Sequence, residues 1–143
     1  MELISYNHIL NNVKVDTWQN AIKEAGNLLV KTNDITYTYI EEMIKSVETL
    51  GPYIVIMPGL AIAHSAPSSS VKKNSISLIT LDNPINFGSE NDPVKIVLCL
   101  ACVDKTSHIN SLSKLANILM TDNIIDSIYN CNSALEIYNL FNC

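Results

Sequence analysis

Apolar positions early in the chain recur at helical spacing. Trp18, Ala21, Ile22, Ala25, Leu28 and Leu29 fall at i, i+3, i+4 and i+7, and Asp16 or Thr17 is placed to cap the helix they predict. Lys31-Thr-Asn-Asp-Ile35 ends it. A second helix follows from about Thr36, capped by Asp34, Thr36 or Thr38, with Ile40, Met43, Ile44 and Val47 as its buried stripe. Gly51-Pro52 stops that one. The period then shortens. Tyr53-Ile-Val-Ile-Met57 and Leu60-Ala-Ile-Ala63 are short apolar runs separated by Pro58-Gly59, which predicts strand, turn and strand. Ser65 to Lys73 is a polar loop, and Ser75–Leu81 and Val94–Val103 are β-branched runs suited to buried strands. Asn83-Pro84 and Gly88 to Pro93 mark turns between them. Helical spacing returns in Ser107 to about Met120, Asp122–Tyr129 and Ser133–Phe141, and Glu2–Ser5 is compatible with a brief strand.

Helices, then strands, then helices, with no repeat and no flexible linker, predict one α/β domain over residues 1–143 with a mixed sheet flanked by helices. With 48% hydrophobic and 16% charged residues in 143, the chain has enough apolar material for a substantial core. Its nine cations are all lysine, there is no arginine, and the net charge is −5, which argues against a nucleic-acid partner. The longest strictly apolar run, Ile96–Val103, is far shorter than the roughly 20 residues of a membrane span, so no direct membrane insertion is expected. No signal-like apolar segment follows Met1, and the expected address is cytoplasmic.

Cys99 and Cys102 have a C-x-x-C spacing, but within a strand residues three apart point to opposite faces. They read as structural rather than as a redox or metal pair, and no metal site is predicted. The three histidines have different settings. His8 lies in a polar N-terminal stretch and is given no role. His64 ends an apolar strand and opens the loop Ser65-Ala66-Pro67, a place where a rigid scaffold presents side chains to solvent. The backbone N–H groups of Ser65 and Ala66 are candidates for an anion nest beside the imidazole, whereas Pro67 has no donor. His108 falls in the first turn of the helix after Val103, where the helix dipole favours a neutral ring. Two histidines after two strand ends can converge, although His108 taken alone reads more readily as an ordinary helix-start residue.

Gly51-Pro-Tyr-Ile-Val-Ile-Met-Pro-Gly-Leu-Ala-Ile-Ala-His-Ser-Ala-Pro67 resembles the active-site segment of phosphotransferase-system enzyme IIA domains of the fructose-mannitol type, above all the ascorbate-like branch. The likeness continues through Ala25-Gly-Asn-Leu-Leu29, Tyr39-Ile-Glu-Glu-Met-Ile44, Asn86-Phe-Gly88, Asn91-Asp-Pro-Val94, Ser107-His108 and Leu112–Leu119. It implies a mannitol-type enzyme IIA fold. It also implies a phosphoryl carrier in which His64 accepts phosphate from the phosphocarrier HPr and passes it to a cysteine of an enzyme IIB, with His108 as hydrogen-bonding support. No cofactor is implied. The chemistry is sound on its own terms: an imidazole with an ordinary pKa of about 6.5 is mostly neutral near pH 7 and can attack phosphorus. Phosphoryl transfer then requires positioning and donors to the equatorial oxygens.

The chain departs from the family pattern at three places. Ala63 replaces the proline before the histidine, Ala66 replaces an arginine two residues after it, and Ser46 holds the position of an arginine in the second helix. A charge-assisted hydrogen bond contributes roughly 1.5–3 kcal/mol, so each lost arginine weakens phosphoryl stabilisation on the order of ten- to a hundredfold unless Lys45, Lys72 or Lys73 substitutes. This motivates an alternative, a regulatory or binding module that kept the fold and weakened the chemistry. Partner contact is expected around His64, at Leu60, Ile62 and Ala66. A homodimer is compatible with the chain, and nothing in it forces one.

Overall fold

Thr17 starts the first helix: its backbone is extended and its hydroxyl accepts from the Asn20 N–H at 3.2 Å, satisfying one of the amides that a helix start leaves free. A computed structural model, which describes residues 2–142, places this helix, α1, at Trp18–Lys31 and the next, α2, at Tyr37–Leu50. The two pack closely because Gly26 has no side chain; a Cβ there would lie 2.6 Å from Cγ1 of Ile40. Five strands follow the predicted apolar runs with one displacement: β1 Ile9–Val13, β2 Val55–Met57, β3 Leu60–Ala63, β4 Ser75–Ile85 and β5 Val94–Ala101. They form one mixed sheet in the order β1-β4-β5-β3-β2, with β1·β4 and β3·β5 parallel and the other pairs antiparallel. Helices α3 (Ile109–Leu119), α4 (Ile124–Tyr129) and α5 (Ala134–Asn142) complete the chain.

Strand alternation divides the core in two. Ala61, Ala63, Ile79, Val97, Cys99 and Ala101 face α1 and α2. Leu60, Ile76, Leu78, Ile96 and Leu98 face α3, α4 and α5. The predicted single α/β domain with helices on both faces is the fold observed. Among the described residues, no helix is long and apolar enough to cross a membrane.

The N-terminal strand is displaced from its expected place. Residues 2–5 form no strand, because the Asn142 side chain satisfies their backbone: it accepts from Leu3 and Ile4 N–H and donates to the Ile4 carbonyl. The strand begins at Ile9, and its alternation is broken by a bulge at Asn12, whose φ of 56° suits asparagine. Strand β4 also runs past the turn expected at Asn83-Pro84, to an Ile85↔Val94 pairing. Pro84 is tolerated there because β1 has already ended at its Val13↔Leu81 pairing, leaving that edge of β4 open. Strand β5 stops at Ala101, two residues short of the expected end, so Cys99 is fully buried while Cys102 lies just outside the strand. Burial pushes the Cys99 thiol up to about 12.

Strands β3 and β5 are parallel and end at the same sheet margin, with Ala63 paired to Cys99. The His64 loop and the chain leading to His108 both leave the sheet from that edge.

Candidate active site

His64 follows the last residue of β3 and is half-buried. Its ring folds back on its own strand, with Nδ1 2.7 Å from the Ile62 carbonyl oxygen. A carbonyl can only accept, so in the neutral ring the proton sits on Nδ1 and Nε2 keeps a free lone pair. Nε2 has no hydrogen-bond partner among the described residues. Tyr53 packs edge-on against the imidazole, ring centres 5.4 Å apart at 88°, and its hydroxyl donates to the His64 carbonyl at 3.2 Å.

The next residue is held from the other side. Tyr39, almost fully buried on α2, accepts from the Ser65 N–H at 3.0 Å and lies 3.2 Å from the Ser65 carbonyl and 3.0 Å from that of Leu100. The Ser65 N–H, expected in an anion nest, is therefore engaged, while the Ala66 N–H has no partner among the described residues. Burial raises the Tyr39 phenol far above its ordinary value, so the hydroxyl stays protonated. Neither tyrosine was singled out from the sequence. The signal available was that a tyrosine at a buried helix position must find a partner for its hydroxyl.

Ser46 lies next to this loop, its hydroxyl 3.3 Å from that of Ser65. Both line an open cleft of about 430 Å³ together with Lys45, Ala66, Ser68 and Glu42, whose carboxylate accepts from Ser68 at 2.8 Å. Of the three candidate lysines only Lys45 borders the cleft. Lys72 donates to Asn33, and Lys73 lines a different cavity.

That second cavity, about 290 Å³, also holds His108. His108 is the N-cap of α3 rather than a first-turn residue, because the Asp104 carboxylate takes the Thr106 and Ser107 N–H groups and delays the helix start. Its Nε2 is buried without a partner, and burial lowers its pKa, in keeping with a neutral ring. No hydrogen bond joins it to His64. With Ala63 paired to Cys99 and Ile76 paired to Leu100, β5 runs between the two histidines. His8 lines the same cavity and is a packed structural residue: it is buried, 2.8 Å from the Thr32 hydroxyl and 3.7 Å from Asp34.

On the α3 side an apolar groove of about 620 Å³ is lined by Ile56, Met57, Ile62, Leu100, Leu112 and Met120. Ile62 lies two residues before His64 on β3, and Leu100 follows Cys99, the β5 partner of Ala63. Leu60, expected at the surface, is fully buried because it points into the core beneath α3–α5; exposed apolar surface comes instead from Ile56 and Met120.

The model of the phosphoenolpyruvate-dependent sugar phosphotransferase system EIIA 2 family matches residues 2–143. The chain belongs to this family. EIIA components are phosphotransferases of sugar uptake, and this EIIA chain is one by its membership. It is 36% identical over 140 residues to the ascorbate-specific PTS system EIIA component of Salmonella choleraesuis, covering 96% of this chain and 91% of that one. The solution structure of the mannitol-specific cryptic phosphotransferase enzyme IIA CmtB from Escherichia coli superposes with a TM-score of 0.88 at 26% identity, covering 99% and 98% of the two chains. A likeness of fold extends to the enzyme IIA of the Escherichia coli complex of IIAMTL with phosphorylated IIBMTL, with a TM-score of 0.82 and 23% identity over 96% of each chain.

Proposed function

We propose that Nε2 of His64 is the phosphoryl acceptor of this EIIA chain, taking the group from HPr and passing it to a cysteine of an enzyme IIB of the ascorbate type, in the cytoplasm. The observation that carries this is the Nδ1 contact to the Ile62 carbonyl, which leaves the Nε2 lone pair free on a half-buried ring. In the first transfer that lone pair forms the new N–P bond while the donor's N–P bond breaks and its electrons return to the donor imidazole. In the second, the IIB thiolate attacks phosphorus and the electrons of the His64 N–P bond return to Nε2. The Ile62 carbonyl steadies the positive charge on the ring while the N–P bond exists.

The donors nearest in the fold for the equatorial oxygens are the Ala66 N–H, the Ser65 and Ser46 hydroxyls and Lys45, which border the cleft beside the His64 loop. His108 is the remaining candidate donor, its Nε2 having no hydrogen bond to lose in the second cavity. The apolar groove around Ile62 and Leu100 receives the partner proteins, HPr and IIB in turn.

Incubation with phosphoenolpyruvate, enzyme I and HPr is expected to give an acid-labile, base-stable phosphate that is absent in His64→Ala. An unlabelled wild type with a competent donor overturns the reading. The alternative, a regulatory module with weakened chemistry, draws on the Glu42 carboxylate and the lack of any guanidinium in the cleft. It predicts partner binding that is indifferent to both phosphoenolpyruvate and His64→Ala.

A further inference from the structure

We propose that Tyr39 is a positioning residue for phosphoryl transfer: from the buried side it fixes the two peptide planes flanking Ser65 and thereby turns the Ala66 N–H outward toward the phosphoryl group on His64. The inference rests on the reading of His64 given above and adds to it a residue that touches neither phosphate nor partner.

The geometry follows from peptide planarity. The only cis bond among the described residues is Asp92-Pro93, so the 64/65 and 65/66 peptides are trans and each N–H points opposite to its C=O. In the first plane, Tyr53 binds the carbonyl end and Tyr39 the N–H end, which suspends the His64–Ser65 peptide between two phenols. In the second, the Ser65 carbonyl points inward to the Tyr39 hydroxyl, so the Ala66 N–H points away from the core. That amide has no partner among the described residues, and Ala66 is exposed beside the cleft. The single hydroxyl proton is shared between the Ser65 carbonyl at 3.2 Å and the Leu100 carbonyl on β5 at 3.0 Å, which ties the loop to the centre of the sheet and not to another loop. Donors aimed in advance at the developing charge are what a loose phosphoryl-transfer transition state rewards.

The test is Tyr39→Phe in the full chain, which removes one oxygen and keeps the ring. Single-turnover transfer from phosphorylated HPr is expected to slow roughly ten- to a hundredfold at saturation, in the range seen when an oxyanion donor is weakened, with the HPr concentration dependence within about twofold of wild type. In wild type the Ala66 amide proton is expected to shift strongly downfield on phosphorylation, and in Tyr39→Phe this response shrinks. Ile137→Val, in the core on the opposite sheet face, serves as a stability control and leaves the rate unchanged. A Tyr39→Phe protein with wild-type rate and full Ala66 response overturns the inference while leaving the His64 reading intact. A wild type that takes no label on His64 defeats the underlying reading and the inference with it. Should Tyr39→Phe fail to fold, wild type decides alone: slow exchange of the Ser65 amide with a phosphorylation-sensitive Ala66 amide supports the clamp, and fast exchange or an unmoved Ala66 refutes it.

Discussion

Restoring a guanidinium to the cleft gives a directional test of how this site handles phosphate. Ser46 is half-buried on α2, 3.3 Å from the Ser65 hydroxyl, and opens onto about 430 Å³ of free space, so Ser46→Arg extends over the cleft without displacing core residues. A charge-assisted hydrogen bond to a phosphoryl oxygen contributes roughly 1.5–3 kcal/mol. Two terms oppose it: the lost Ser46–Ser65 contact, about 0.5–1.5 kcal/mol, and competition from the Glu42 carboxylate on the same cleft, which solvent screening weakens but does not abolish. The net gain is about 1 kcal/mol, or roughly fivefold in transfer rate. Rapid-quench transfer from phosphorylated HPr measures it, with Ser46→Gln as an uncharged control of similar reach. Glu42→Gln combined with Ser46→Arg is expected to accelerate further, since the competitor is gone. If Ser46→Arg folds and is no faster than Ser46→Gln, this cleft does not hold the phosphoryl oxygens.

Other consequences are open to measurement. His108→Ala is expected to lower the transfer rate about tenfold and leave phosphorylation confined to His64, because a neutral donor is lost; an unchanged rate would reduce His108 to a helix cap. Burial holds His8 and His108 below the ordinary 6.5, so the unfolded chain binds more protons than the native one as pH falls through that value. The stability they support is therefore present above about pH 6.5 and declines below it, visible as a Tm that drops from pH 7.5 to 5.5, with the drop reduced in His8→Gln. A flat Tm across that range contradicts the sign. Ile56→Asp, at an exposed position on the apolar groove, is expected to raise the half-saturating concentration of IIB roughly tenfold with stability within about 0.5 kcal/mol of wild type, by urea denaturation.

The elements with unbroken periodicity were readable without coordinates: the stripe from Ala21 to Leu29, the turn at Pro58-Gly59 and the buried runs of β4 and β5 all lie close to where the pattern puts them. The N-terminal strand was not, because the Asn12 bulge interrupts the alternation and the Asn142 side chain, remote in sequence, occupies the backbone of residues 3 and 4. His64 was singled out from its segment, and Ser46, read as the position of the family arginine, lies with its hydroxyl 3.3 Å from that of Ser65. Tyr39 was not legible as part of the site, since its hydroxyl reaches residues 26 and 61 positions away. That hydroxyl also occupies the Ser65 amide, which was expected in an anion nest. Leu60 was misjudged because strand alternation, and not proximity to the histidine, decides which face a side chain takes.

The most direct test of the account is to find the phosphorus-bearing nitrogen. After phosphorylation by phosphoenolpyruvate, enzyme I and HPr, long-range 1H–15N correlation of the imidazole with 31P detection is expected to place phosphorus on Nε2 of His64, with the proton retained on Nδ1. Phosphorus on Nδ1, or on any other side chain, would contradict it.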